Sequence, residues 1–237
     1  RVQPGPDGTR QPRLHAAQSA LVQIDAGDAR LEGQLAIPPS AIGLVVFVHG
    51  SGSSRHSPRN KLVARTLREE VRAATLLVDL LSAEEEEVEQ RTGEHRFDIP
   101  FLAERVSAIC DWTRHDFRTR RLPLGLFGAS TGAAAALVTA AEQPERITTV
   151  VSRGGRPDLA GAGTLASVLA PTLLIVGSED DVVLDLNRSA QRAMVATVCK
   201  LEVVLGANHL FEEPGTLNEA ARLSAEWFAR FLHAEGR

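Results

Sequence analysis

The chain has 237 residues, of which 43% are hydrophobic and 24% charged, enough apolar material for one large core in a globular domain. Its net charge of −4, from 26 basic and 30 acidic residues, argues against the basic stripe of a nucleic-acid binder and the polybasic patch of a membrane-surface protein. The two cysteines, Cys110 and Cys199, lie too far apart for a CxxC metal pair and build no disulfide framework, which points to a reducing, cytoplasmic setting.

No run approaches the ~18 apolar residues of a membrane span, and the N-terminus lacks the charged-then-apolar pattern of a secretory signal. The opening "RVQPGPDGTRQP", with three prolines and two glycines, reads as a disordered lead-in or an expression remnant. Residues 1–19 are therefore set apart from a single domain over 20–237. "ALVQIDA" and "LEGQLAI" alternate apolar and polar residues around "GDAR", the pattern of an antiparallel hairpin. "GLVVFVHG" is apolar almost throughout, as in a strand covered on both faces. Ser57 and Pro58 mark a helix start, with Leu62, Val63, Leu67 and Val71 along one stripe. "ATLLVDL" is the next buried strand, and the run Glu84 to Glu87 after it reads as a solvated surface segment. Asp98 caps a helix with Pro100 in its first turn and Leu102, Val106 and Ile109 on its inner face. "LPLGLFG" forms a strand that runs into an alanine-rich helix from about Thr131 to Glu142. "RITTVVS", "PTLLIVG" and "LEVVL" are further strands, and a closing helix gathers Ala220, Ser224, Trp227, Phe228, Phe231 and Leu232 on one face. Strands alternating with helices predict an α/β architecture, a mostly parallel sheet between helix layers.

Ligands of such sheets bind beyond the carboxyl ends of the strands. Four of those ends carry chemistry. His49, Gly50, Ser51, Gly52, Ser53 and Ser54 follow the first buried strand, and Gly128, Ala129, Ser130, Thr131 and Gly132 follow "LPLGLF". Gly177, Ser178, Glu179, Asp180 and Asp181 follow "PTLLIV", and Gly206, Ala207, Asn208 and His209 follow "LEVVL". A serine, an acid and a histidine thus emerge in the chain order of the nucleophile-elbow enzymes. A serine pushed out at a sharp strand-to-helix turn needs small neighbours two residues to either side, and Gly128 and Gly132 supply them. The helix beginning at Thr131 also brings free amides to the place where a negative oxygen would form. No histidine pair has metal-ligand spacing on a helix, so no metal or other cofactor is expected. The turn "HGSGSSRHS" lacks the G-x-G-x-x-G of a dinucleotide site.

These residues resemble the α/β-hydrolase superfamily and, within it, the lidless dienelactone hydrolase-like group. The likeness runs from about Ala20 to Leu232 and rests on "VVFVHGSGSS", "GLFGASTGAA", "PTLLIVGSEDDVV" and "GANHLFEEPG". "HLFEEPG" with "SRGGRPDL" is similar to a bacterial subgroup sometimes fused to a phosphoribosyltransferase, a segment not seen in this sequence. The resemblance implies an α/β-hydrolase fold without a cap or lid, in keeping with the roughly 20 residues between the strand ending near Val151 and the one starting near Pro171. It implies Ser130 as nucleophile, His209 as base and Asp180 as the acid that orients it. Asp181 is the alternative acid, and the spacing G-x-x-D-x-x-V over Gly177, Asp180 and Val183 favours Asp180. The amides of Thr131 and Ser51 would form the oxyanion hole.

Dienelactone hydrolase itself uses a cysteine where this chain has Ser130, which moves the expectation to a serine esterase acting on small carboxylic esters or lactones. His49 reads as a support for the loop after its strand, and His95 and His115 as solvated. Arg55, His56 and Arg153, with Arg156, lie in loops bordering the site; two arginines converging there would suit an anionic substrate group. The competing readings are an acyltransferase or thioesterase with the same serine and a non-catalytic binding module on the same fold. The expected partner is a small-molecule ester, with neither nucleic acid nor membrane.

Overall fold

Eight strands lie among the described residues: β1 Gln18–Ala26, β2 Ala29–Ile37, β3 Leu44–Val48, β4 Ala74–Val78, β5 Leu124–Ala129, β6 Ile147–Arg153, β7 Thr172–Gly177 and β8 Cys199–Val204. The structure is a computed structural model that describes residues 17–233, so most of the expected lead-in lies outside the described residues. Gln18 and Ser19, assigned to that lead-in by sequence, instead open β1, where they pair with Ile37 and Ala36. The strands form one sheet in the order β1-β2-β4-β3-β5-β6-β7-β8. β1 and β2 make the expected hairpin, β2 runs antiparallel to β4, and the remaining neighbours are parallel. The helices are α1 Pro58–Thr66, α2 Ala83–Thr92, α3 Ile99–His115, α4 Thr131–Glu142, α5 Ala162–Ser167, α6 Asp181–Ala193 and α7 Thr216–Phe231.

Alternation along each strand divides the core into two layers. Val46 and Val48 of β3 join Leu102, Val106 and Ile109 of α3 and the alanines of α4 on one side. Val45 and Phe47 join Val63 and Ala64 of α1 and Phe228 of α7 on the other. Phe47 and Phe127 pack with their rings tilted 35° and centroids 4.8 Å apart in that second layer. Trp227 Nε1 donates to Thr149 Oγ1 at 2.9 Å and so docks α7 on β6.

Two helices depart from the sequence expectation. The run Glu84 to Glu87 is the start of α2, because Ser82 and Glu85 form a reciprocal capping box and acidic side chains suit a helix N-terminus. Its acids are not all solvated: Glu85 bonds Arg105 of α3, and buried Glu89 holds Arg96 and the His95 amide. α6 begins within the Asp-Asp motif that had been read only for its acids. Val183, Leu184, Asn187 and Ala190 form its buried face. Between β6 and β7 there is only one turn of 3-10 helix, Pro157–Ala160, and the six-residue α5, so no lid covers the strand ends. Among the described residues no helix is long and apolar enough to cross a membrane.

The glycines around β5 reflect close backbone approach. A Cβ on Gly132 would lie 2.3 Å from the Val48 carbonyl oxygen and 2.4 Å from that of His49. Neither atom can retreat without moving β3. Gly132→Ala is therefore expected to lower unfolding free energy by at least ~2 kcal/mol in urea titrations. A midpoint equal to the wild type would refute this packing.

Candidate active site

The junction of β5 and α4 places Ser130 at φ 50° and ψ −125°, a backbone conformation that L-residues rarely adopt. Its amide donates to Arg153 O at 3.4 Å, and its carbonyl accepts from Ala133 N at 3.1 Å and Arg156 N at 3.0 Å. The loop after β3 presses against it, since a Cβ on Gly50 would lie 2.9 Å from Ser130 Cβ. Backbone turn and tight neighbours together push the hydroxyl out beyond the sheet. Among the described residues, Ser130 Oγ accepts and donates no hydrogen bond.

The ends of β7 and β8 meet beside it. A Cβ on Gly177 would come 2.1 Å from Ala207 O, so glycine is what lets the two following loops approach. There His209 Nδ1 donates to Asp180 Oδ2 at 2.5 Å, leaving Nε2 as the ring's acceptor nitrogen. Asp181, one residue on, is exposed and opens α6, so Asp180 is the aspartate that meets the histidine. Glu213 accepts from Asn208 N at 3.0 Å and steadies the histidine loop, a contact that no local motif signals.

His49 is buried between strand ends. Its Nδ1 donates to Gly50 O at 2.9 Å and its Nε2 accepts from Leu80 N at 3.1 Å, which makes it a neutral pin between the loop and the end of β4. Burial holds its pKa below the ordinary 6.5, against the backbone bond and the acids Asp79 and Glu86. The Ser51 amide, expected in the oxyanion hole, instead donates to Thr131 Oγ1 at 3.1 Å. The reason is local: the Thr131 hydroxyl also meets Ser51 Oγ, which in turn donates to Arg96 O at 2.8 Å. The Thr131 amide itself lies at the first position of α4, where an N–H has no intrahelical acceptor. Behind the loop a cavity of about 20 Å³, lined in part by His49, Leu80, His95 and Leu102, holds no more than a water-sized group.

The other predicted residues separate. Arg55, expected to border the substrate, is tied down: its guanidinium bonds Asp79 and, at 2.5 Å, Glu32, while its amide donates to Asp79 Oδ1 at 2.7 Å. It anchors the loop to β4 and β2 because two carboxylates lie in reach. Arg156 is matched by Asp158 at 2.7 Å. His56 is exposed, and its amide donates to Ser54 Oγ. His95 is half-buried rather than solvated, stacked on Phe101 at 4.6 Å. His115 is capped on Asp111 O. Only Arg153 remains beside Ser130 without a carboxylate. Arg59 of α1, which the sequence analysis does not single out, is its charged neighbour. A basic residue in the first turn of a helix, against the dipole, was the available signal. Neither cysteine offers a second nucleophile, since burial pushes both thiols up to about 12.

A mostly parallel eight-stranded sheet with an outward serine after β5 and an Asp–His pair after β7 and β8 defines the α/β-hydrolase class. The chain is 50% identical to a dienelactone hydrolase from Anabaena variabilis, covering 92% of this chain and 100% of that one with a TM-score of 0.90. It belongs to the dienelactone hydrolase family. Est1E from Butyrivibrio proteoclasticus has the same fold at 14% identity, with a TM-score of 0.74 over 89% of this chain and 98% of its own. Proteins of two Mycobacterium tuberculosis strains, provisionally named phosphoribosyl transferases, are 53% identical over 215 residues. That match takes in 91% of this chain, which spans about half (47%) of the relatives' length. No family model matches the chain.

The neutral state of His49 sets a pH dependence. Below pH 6.5 the unfolded chain takes up a proton that the folded ring resists, so this residue removes stability as the solution is acidified; above 6.5 its contribution is constant. His49→Asn, which keeps a donor and an acceptor but cannot titrate, is expected to flatten the fall between pH 6.5 and 5 by up to about 1.4 kcal/mol per unit. Equal slopes for variant and wild type in urea titrations would show that His49 is not held neutral.

Proposed function

We propose that the protein is a serine hydrolase that cleaves small carboxylic esters or lactones through an acyl-enzyme on Ser130. The observation that carries this reading is the 2.5 Å bond between His209 and Asp180 on loops adjoining the strained Ser130 turn. Three groups delivered by separate strands serve no packing purpose that one apolar cluster would not serve better.

In this reading Ser130 Oγ attacks the ester carbonyl while His209 Nε2 takes its proton; the hydrogen bond between them closes when substrate is seated. Asp180 keeps Nδ1 protonated and stabilises the imidazolium that forms. The Thr131 amide and the dipole of α4 receive the negative oxygen, and the Ser51 amide joins them when the oxyanion displaces Thr131 Oγ1 as its acceptor. Collapse expels the alcohol, which leaves with the proton from His209. Water then repeats the sequence on the acyl group, returning Ser130 and releasing the acid. With no lid over the strand ends, small substrates suit the site, and exposed apolar Phe97, Val182 and Leu210 lie next to its loops.

Ser130→Ala is expected to abolish turnover of 4-nitrophenyl acetate while circular dichroism and urea midpoint stay within error of the wild type. An organophosphate should label Ser130 alone by peptide mass mapping. Asp180→Asn should lower kcat on the order of 10³ to 10⁴-fold, whereas Asp181→Asn stays within about threefold. Wild-type turnover by Ser130→Ala, or an adduct on another serine, would sink the assignment.

A further inference from the structure

Beside Ser130 lies a buried cation for which the described residues supply no anion. Arg153, the last residue of β6, is 7% exposed, and its Nη1 is buried without a partner. Among the described residues its guanidinium makes no hydrogen bond or ion pair. It lies against two aromatic rings, with Phe127 at 5.8 Å and Phe211 at 6.0 Å. Burial, with Arg59 adding to it, lowers the guanidinium from its ordinary range to about 10, which leaves it charged at neutral pH. Arg55, Arg105 and Arg118 are matched by Asp79 with Glu32, Glu85 and Asp116, and the half-buried Arg68 and Arg146 each bond a threonine hydroxyl, whereas the Arg153 guanidinium has neither. Arg59 likewise forms no ion pair among the described residues, and it stands in the first turn of α1, where no acid offsets it. A buried cation without an anion is costly, and a second cation nearby adds to the cost.

The place adjoins the reacting centre. Arg153 O accepts from Ser130 N, and Phe211 follows His209 by two residues. Gly154 packs on the histidine, since a Cβ there would lie 3.7 Å from His209 Cε1.

Resting on the hydrolase reading above, we propose that Arg153 and Arg59 form a seat for a phosphate monoester group carried by the ester substrate. Charge decides for phosphate over carboxylate. A phosphate monoester brings about −1.5 to −2 at pH 7 and balances two guanidinium groups, whereas a carboxylate leaves one uncompensated. Its three terminal oxygens also offer guanidinium forks more acceptors than the two of a carboxylate.

Three 4-nitrophenyl esters of equal reach test this: the butyrate, the hemisuccinate and the 3-phosphonopropanoate. The expected kcat/KM for the phosphonate is at least tenfold above the butyrate and threefold above the hemisuccinate. Arg153→Met should bring the phosphonate-to-butyrate ratio within twofold of unity. Arg59→Met should lower it at least threefold, and this half-buried helix position reads the seat even where the change at 153 does not fold. Arg65→Met, exposed on the same helix, should keep the wild-type ratio. A wild-type ratio near one, or an equal fall in Arg65→Met, overturns the seat; a preference for the hemisuccinate overturns the phosphate assignment. If no ester turns over and no organophosphate adduct forms, the hydrolase reading fails instead. Calorimetric binding of inorganic phosphate by wild type but not Arg59→Met then upholds the seat, and its absence in the wild type overturns it.

Discussion

Everything at this site depends on keeping one non-glycine residue at positive φ. Ser130 at φ 50° carries a strain of about 1–3 kcal/mol, and it persists because three strand ends over-determine it. β5 delivers the residue, the end of β6 grips its backbone through Arg153 O and Arg156 N, and the loop after β3 closes on its Cβ through Gly50. These are adjacent strands in the order β3-β5-β6, so the sheet register itself aligns the three grips. Gly132 follows from the same geometry, because α4 must start against the carbonyls of Val48 and His49.

The loop after β3 is held by pins of different physical kind. His49 ties it to Leu80 with neutral hydrogen bonds in a buried setting where a charge would be expensive. Arg55 ties it to Asp79 and Glu32 with charged hydrogen bonds, the largely shielded guanidinium being compensated by two carboxylates. Thr131 adds a chain of hydroxyls from the start of α4 through Ser51 to Arg96 O. Held from three directions, the loop keeps a fixed place against the start of α4 and the Ser130 turn.

What could be read in the sequence was what local chemistry determines. The β3, β5 and β7 strands are continuous apolar runs, and the Ser130 turn announces itself through its glycines, so sheet and serine were legible together. Asp180 was preferred to Asp181 by spacing, and the bond to His209 agrees. α2 and α6 were missed because charged residues dominate them, and what stabilises them is a capping box in one and a narrow buried face in the other. The bond of the Ser51 amide to the Thr131 side chain was not legible, because that acceptor is 80 residues away. The roles of Arg55 and Arg153 were likewise invisible, since which carboxylate lies near an arginine is decided by tertiary packing.

That contrast between two arginines bears on what the fold is arranged to do. Arg55 meets two acids and becomes structural; Arg153 meets two rings and no acid. Cation–π contact offers about 0.5–2 kcal/mol, less than burial of a charge costs, so the rings do not by themselves account for keeping a cation there. Phe211 sharpens the point. It is one of four non-glycine residues at positive φ among those described, held at 58° immediately after the histidine loop, and its ring lies against Arg153. A phenylalanine in that conformation is strained, and strain of this sort gathers where geometry serves function rather than stability. An acid in this position would have stabilised the fold and neutralised the arginine. The ring lines it while leaving the charge uncompensated, next to the serine whose backbone the same arginine holds.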